Sequence, residues 1–301
     1  MQRCLFFEFI VSAPSRTGLA MALLSTWLIW GSTYLAIRFV IVDIPPFMAA
    51  AIRFWLAGGM LFAWLKWKGA ALPSKRQMRN AAIIGTMMLA GGNGAVTFAE
   101  LEISSAVAAL GVAVVPLLTI IVARFWGHHS SRSEWIGIGI GMAGIVSLNF
   151  GADMSASPMG AGLILFATVI WSIATVWSKY LDMPSGTMSS ALQMLAAALV
   201  LTLMSLMHGE RMTHMPSGTS IAALLYLVVA GSMIAYSAFS YLIIHVRPAL
   251  ASSYAYVNPV VAVFLGWSIG NEHIGLHELF AMGAILIAVA LVVYQQVRNK
   301  G

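Results

Sequence analysis

The sequence predicts an all-α membrane protein: ten transmembrane helices arranged as two inverted five-helix repeats. Three observations lead there. Of 301 residues, 60% are hydrophobic and only 9% charged, with a mean hydropathy of +0.89. A soluble globule carries roughly 25% charged residues, so this chain could not coat itself in water. Apolar runs long enough to cross a bilayer, which takes about 20 residues, follow one another with short connections. The two halves of the chain also resemble each other at a nearly constant spacing. The same composition excludes a disordered chain, and the single cysteine, Cys4, excludes an internal disulfide. Short segments alternating polar and apolar, as a membrane β-barrel requires, are not found.

Taken in order, the expected spans are Leu19–Val40, Pro46–Leu65, Ala81–Ala99, Ser104–Phe125, Glu134–Phe150, Gly160–Tyr180, Thr187–Met207, Ser220–Ile244, Pro248–Ile269 and His277–Tyr294. Residues 1–18 read as a cytoplasmic tail or a misplaced start, with Met21 as the start, or as an interfacial segment. Residues 19–150 form the expected first repeat, 151–159 a periplasmic linker, 160–295 the second repeat and 296–301 a cytoplasmic end. With both termini inside, every one of the 16 Lys and Arg residues except Arg38, Arg53 and Arg211 falls on the inner side. That positive-inside bias supports an even number of spans. It also explains the net charge of +6 without invoking nucleic acid.

The repeat is legible residue by residue. Trp30-Gly31-Ser32 followed by Arg38 is answered by Trp171-Ser172-Ile173 followed by Lys179. Asp43-Ile44-Pro45 is answered by Asp182-Met183-Pro184. Ala95, Phe98 and Pro116 match Ala238, Tyr241 and Pro259 at one offset, 143. Five crossings per half is an odd number, so the second half enters from the opposite side. Inverted repeats of this kind are the architecture of alternating-access carriers, with the substrate site between the halves near the midplane.

At this point the residues resemble a family. Trp30-Gly31-Ser32-Thr33-Tyr34, Pro45-Pro46 followed by Arg53, and the run from Ala251 through Tyr254 to Asn258-Pro259 are similar to the EamA branch of the drug/metabolite transporter superfamily, over about residues 19–295. The likeness is nearest to its YedA-like bacterial inner-membrane members. The resemblance implies an inner-membrane exporter of small metabolites or drugs and specifies no substrate.

Several residues are candidates for the pathway. Arg53, within the second span, carries a charge that costs at least about 2.5 kcal/mol in the membrane unless paired or hydrated. Glu100 and Glu102, at the outer end of the third span, are its expected partners; with Glu100, Arg53 forms an outer gate or a proton-linked switch, the alternatives being a static pair that locks helices or snorkelling toward the headgroups. Tyr254 and Asn258 share a helix face, and Pro259 and Pro116 lack backbone donors at equivalent points, which suggests paired helix breaks. Ser32, Thr33 and Tyr34 in the first span and Trp171 and Ser172 in the sixth occupy matching polar stretches. Gly91-Gly92-Asn93-Gly94 is expected to interrupt the third span; Asn93 lies at mid-depth, the glycines serve as hinges or as packing faces, and Tyr236 is the repeat counterpart of Asn93. A cavity made from these residues would be aromatic and polar without fixed charge at its centre. That favours amphipathic, neutral or zwitterionic solutes.

Other motifs carry no chemistry. Gly139-Ile140-Gly141-Met142-Ala143-Gly144 matches a dinucleotide fingerprint but sits inside a span rather than in a βαβ unit. His273 and His277 are spaced like helical metal ligands but lie outside any HExxH pattern, so no metal site is expected. No cofactor, no nucleotide-driven step and no enzymatic nucleophile is expected. The partners are a small-molecule substrate and the lipid bilayer, with the protein a monomer or homodimer. Proton antiport would require a titrating carboxyl in the pathway, and Glu100 is the candidate; otherwise a facilitator, exchanger or channel follows. The rival from another class is a membrane-embedded enzyme or lipid scramblase, and an enzyme would need His, Asp or Glu converging at one depth, which these spans lack.

Overall fold

The computed structural model describes residues 15–103, 105–127, 131–148 and 157–270, together with 283, 284 and 287. Among them all regular structure is helical. Seven helices or helix runs are long and apolar enough to cross a membrane: α1 (Arg16–Ile41), α2 (Pro46–Trp67), α3 (Lys75–Ala99), α4 and α5 together (Val107–Phe125), α7 (Pro158–Tyr180), α8 (Gly186–Met207) and α9 (Gly218–His245). Two helices of 17 residues, α6 (Arg132–Leu148) and α11 (Tyr254–Gly270), coincide with the fifth and ninth expected spans. The tenth, His277–Tyr294, lies almost wholly outside the described residues, as do the tail before residue 15, most of the linker and the C-terminal end. His273 and His277 also lie outside them.

The helix starts follow from local chemistry. Ser15, Ser157 and Ser217 each accept a backbone N–H three residues on, and Ser74 with Gln77 closes a reciprocal capping box. Pro46 and Pro158 sit in first turns, where a missing donor costs nothing. The ends repeat as well. Gly69 and Gly209 take φ of +82° and +71° after α2 and α8, and each end makes the same pair of closing bonds. Ala70 N bonds Leu65 O and Gly69 N bonds Lys66 O; Glu210 N bonds Ser205 O and Gly209 N bonds Leu206 O. Only a residue without a Cβ adopts that left-handed turn cheaply.

The halves interleave rather than sit side by side. α2 lies along α8, α1 packs on α9 and α11, and α7 packs on α3 and α5. Glycines allow the closest approaches: a Cβ on Gly85 would lie 2.3 Å from Gln193 O, and one on Gly58 would lie 3.0 Å from Ala191 O. Buried alanines (Ala50, Ala57, Ala191, Ala197, Ala198) fill the seam, as expected where dispersion and close backbone contact hold helices together in lipid.

Two features differ from the sequence expectation. The glycine-rich stretch of α3 is not interrupted; it widens into a π-helical segment, Thr86–Asn93, matched in α9 by Leu227–Tyr236. Widened turns of this kind are uncommon and concentrate at functional sites. The expected break at Pro259 is also absent, since Pro259 lies inside the continuous α11. The interruption falls earlier, at Ser252–Ser253, between the short α10 (Pro248–Ala251) and α11. A proline deletes one N–H, and a helix held on both sides absorbs that loss. At Pro116 the chain does break, between α4 (Ser105–Val112) and α5 (Val115–Phe125), with Pro116 in the first turn of α5.

Candidate functional site

A cavity with about 660 Å³ of empty space, its open side included, lies between the interleaved halves. From the first half it is lined by Thr33, Tyr34, Arg53, Gly92 and Asn93; from the second by Trp171, Tyr236, Tyr254 and Asn258. The structure thus brings nine of the sequence candidates to one place. Asn93 and Tyr236 are the last residues of the two π segments, so each widened turn ends on a polar side chain facing the cavity.

The other candidates lie elsewhere. Ser32 turns away, bonding Ile29 O at 2.8 Å and the Tyr226 hydroxyl at 2.5 Å. Ser172 is fully buried and donates to Thr168 O at 2.7 Å. Gly94 packs against Leu201, where a Cβ would come within 2.8 Å of its Cδ2. Pro116, Pro259 and Glu100 do not line the cavity. Sequence reasoning missed Trp30 as a lining residue, although its offset of 141 from Trp171 marked it. Its indole Nε1 donates to Gly231 O at 3.1 Å, and its ring meets Trp171 edge-on at 5.7 Å and Tyr254 at 4.6 Å. One wall is therefore a cluster of edge-to-face aromatic rings, the arrangement their quadrupoles favour.

The rest of the lining corrects the expected neutral cavity and the expected Arg53–Glu100 pair. Arg53 is 4% exposed and lines the cavity. Its Nε donates to Ser232 Oγ at 2.7 Å and its Nη1 to Asn93 Oδ1 at 3.4 Å. Its guanidinium carbon sits 5.0 Å from the centre of the Phe54 ring. Among the described residues no carboxylate forms an ion pair with it. Two neutral acceptors fix its plane, and its charge has no counter-ion. Glu100 instead follows the end of α3, fully buried, with both carboxyl oxygens unbonded. Its own carbonyl accepts from Arg38 Nη1 at 2.5 Å. Burial pushes the Glu100 carboxyl well above its ordinary range, with the Arg38 charge opposing. Arg38, 62 residues away in sequence, bonds the Glu100 carbonyl rather than its carboxyl, and Arg53 is held elsewhere by Ser232 and Asn93.

Tyr236 donates to Gln193 Oε1 at 2.5 Å, and Gln193 Nε2 donates to Ser189 Oγ at 2.8 Å. Asn258, 1% exposed, lies beside the Tyr34 hydroxyl, with neither amide atom in good hydrogen-bond geometry. Such a buried amide is a ready donor and acceptor for a solute.

The EamA-like transporter family profile matches this chain twice, over residues 16–150 and 158–294. The chain belongs to the EamA-like transporter family. It is 46% identical over 272 residues to the Escherichia coli (strain K12) protein described as the uncharacterized inner membrane transporter YedA, covering 90% of this chain and 89% of that one. It is 22% identical over 281 residues to the Bacillus subtilis (strain 168) transporter YoaV, covering 90% and 94%. A solved crystal structure, 22% identical, superposes with a TM-score of 0.78 over 95% of this chain and all of that one, so the fold is shared. The apolar helices and the inner-membrane relatives together support a multi-pass inner-membrane protein. Each match to the EamA-like profile contributes lining residues to the one cavity.

Proposed function

We propose that the protein is a secondary carrier that exports a small organic solute across the bacterial inner membrane by alternating access. In this reading ten spans form two inverted five-helix repeats, residues 19–150 and 160–295, with both termini cytoplasmic. The cavity is the substrate site. Thr33, Tyr34, Asn93, Trp171, Tyr236, Tyr254 and Asn258 contact the solute, Gly92 leaves room for the Trp171 ring, and the chain around Gly94 and Pro116 accommodates helix movement. The carrying observation is that one cavity is walled by equivalent positions of both halves, Trp30 with Trp171 and Asn93 with Tyr236. A bundle that only held its shape would have no need of a shared polar pocket at the pseudo-symmetric seam.

Glu100 is the proton-binding group in this reading. It lies outside the cavity, so a proton there would act through Arg38 rather than compete directly with the solute. A proton-independent exchanger is the second reading. Reconstitution in proteoliposomes decides both. Saturable counterflow supports a carrier, whereas linear, unsaturated flux with high conductance refutes it in favour of a channel. An imposed pH gradient that leaves flux unchanged removes proton coupling.

A further inference from the structure

Within the reading of the cavity as a transport site, we propose that its cargo is an organic monoanion: a carboxylate on an apolar, ring-sized body, with Arg53 holding the carboxylate. A buried cation inside a bilayer is costly, at least about 2.5 kcal/mol, and membrane proteins keep one only where something neutralises or hydrates it. Among the described residues Arg53 has neutral partners only. Ser232 occupies Nε and Asn93 reaches Nη1, leaving the Nη2 side of the fork. That side is uncrowded because residue 231 is glycine: a Cβ there would press on Nη2 at 2.9 Å and on Thr33 Cγ2 at 3.1 Å, and Arg53, Gly231 and Thr33 all line the cavity. A planar guanidinium held by two acceptors, with donors left over, matches the geometry of a carboxylate or a phosphate, and the charge balance of the cavity decides between them.

The rest of the cavity selects the body of the solute. Trp30, Trp171 and Tyr254 form the aromatic wall. Asn258 supplies an unbonded amide for one further polar group. Among the described residues no carboxylate lines the cavity, so one positive charge meets one negative charge. A dianion such as a phosphate monoester would enter with uncompensated charge, and an amine would face Arg53 without a counter-ion.

The test uses the purified full-length protein in detergent, with tryptophan fluorescence reading occupancy beside Trp30 and Trp171. The probes are phenylacetate, its neutral amide and the matched amine, phenylethylamine. Phenylacetate is expected to bind about tenfold or more tightly than the amide, the scale of one charge-assisted hydrogen bond. Arg53→Gln is expected to erase that preference, and Arg53→Lys to retain part of it. Equal affinity for acid and amide, no saturable phenylacetate signal at millimolar concentration, or an undiminished preference in a folded Arg53→Gln protein overturns the proposal. Should Arg53→Gln not fold, the wild-type acid-to-amide ratio and Arg53→Lys decide it. Counterflow of phenylacetate in proteoliposomes separates the two inferences. Acid-selective binding without counterflow leaves the anion site and removes the carrier; counterflow of neutral probes without acid preference does the reverse.

Discussion

Gly91 and Gly92 are neighbours in the same π segment, yet they predict opposite outcomes on substitution with alanine. A Cβ on Gly92 would lie 2.8 Å from Trp171 Cε3, closer than real Cβ contacts come, whereas one on Gly91 would find its nearest neighbour, Ile170 Cγ2, at 3.6 Å. To restore ordinary contact at 3.4 Å or more, the Trp171 ring must retreat by about 0.6 Å, and its free side is the cavity. Overpacking of this kind costs about 1–3 kcal/mol, and the helix gains back about 0.5–1 kcal/mol when alanine replaces glycine. Gly92→Ala should therefore lower stability modestly and weaken ring-bearing solutes by about tenfold, the equivalent of 1.4 kcal/mol. Gly91→Ala should keep wild-type binding and gain a little stability. Thermal unfolding and tryptophan-fluorescence titration with phenylacetate, run on both variants, measure the two effects. Equal impairment by both would refute the reasoning, since it would mean that the glycines act as a flexible hinge rather than as room for one ring.

Three further perturbations test other parts of the structure. Glu100 binds its proton more tightly folded than unfolded, so its contribution is fully present below its ordinary value of 4.5 and is lost as pH rises; Glu100→Gln should raise the unfolding temperature at pH 8 and not at pH 4, and an unchanged temperature at pH 8 counts against the buried, unpaired carboxyl. Asp43, on the loop after α1, accepts from Ser217 and Ser220, with His214 at 3.2 Å, and these donors hold its carboxyl down at about 2 rather than 3.8. The clasp should therefore stabilise fully above pH 3.8 and weaken as pH falls towards 2, and a melting profile over that range should flatten in Asp43→Asn. Tyr236→Phe leaves Gln193 Oε1 buried without its donor and should cost about 1–3 kcal/mol in chemical unfolding; a loss under about 0.5 kcal/mol would show the bond to be idle.

The apolar runs gave the fold away because bilayer thickness fixes helix length and serines and prolines mark the starts: Ser74, Pro46 and Pro158 stand within a few residues of where the spans were expected. The site was half legible. Tyr254 and Asn258 were found because they share a helix face beside Pro259, and Asn93 and Tyr236 because they stand at a repeat offset and polar groups at mid-depth are expensive. Arg53 was found for the same reason, but its partners were not: Ser232 is 179 residues away, and a hydroxyl amid apolar residues leaves no mark in one dimension. The faces of helices were equally hidden. Thr33 lines the cavity and Ser32, next to it, bonds Tyr226, because consecutive helical residues point about 100° apart, while apolar surroundings on every side erase the period that would separate inside from outside. The π segment of α3 was read as an interruption because glycine is the usual sign of both, and that of α9 left no mark.

The repeat and the charge bear on each other. In the first half α2 reaches the end of its π segment through Arg53 and Asn93; in the second, α8 reaches the end of its own through Gln193 and Tyr236. The two pairs stand at offsets of 140 and 143, so they are the same contact made twice, once with a cation and once without. Equivalent halves give a carrier two interconvertible forms, because what one half does at one face the other does at the opposite face. They do not give it a preferred solute, since a symmetric pocket offers an asymmetric molecule two equal poses. Selectivity has to come from a position where the halves disagree, and position 53 is where they disagree in charge. Arg53→Gln removes that difference by making both contacts neutral. If the cavity's discrimination resides there, the substituted protein should still exchange solutes between the two faces but should stop telling an acid from its amide.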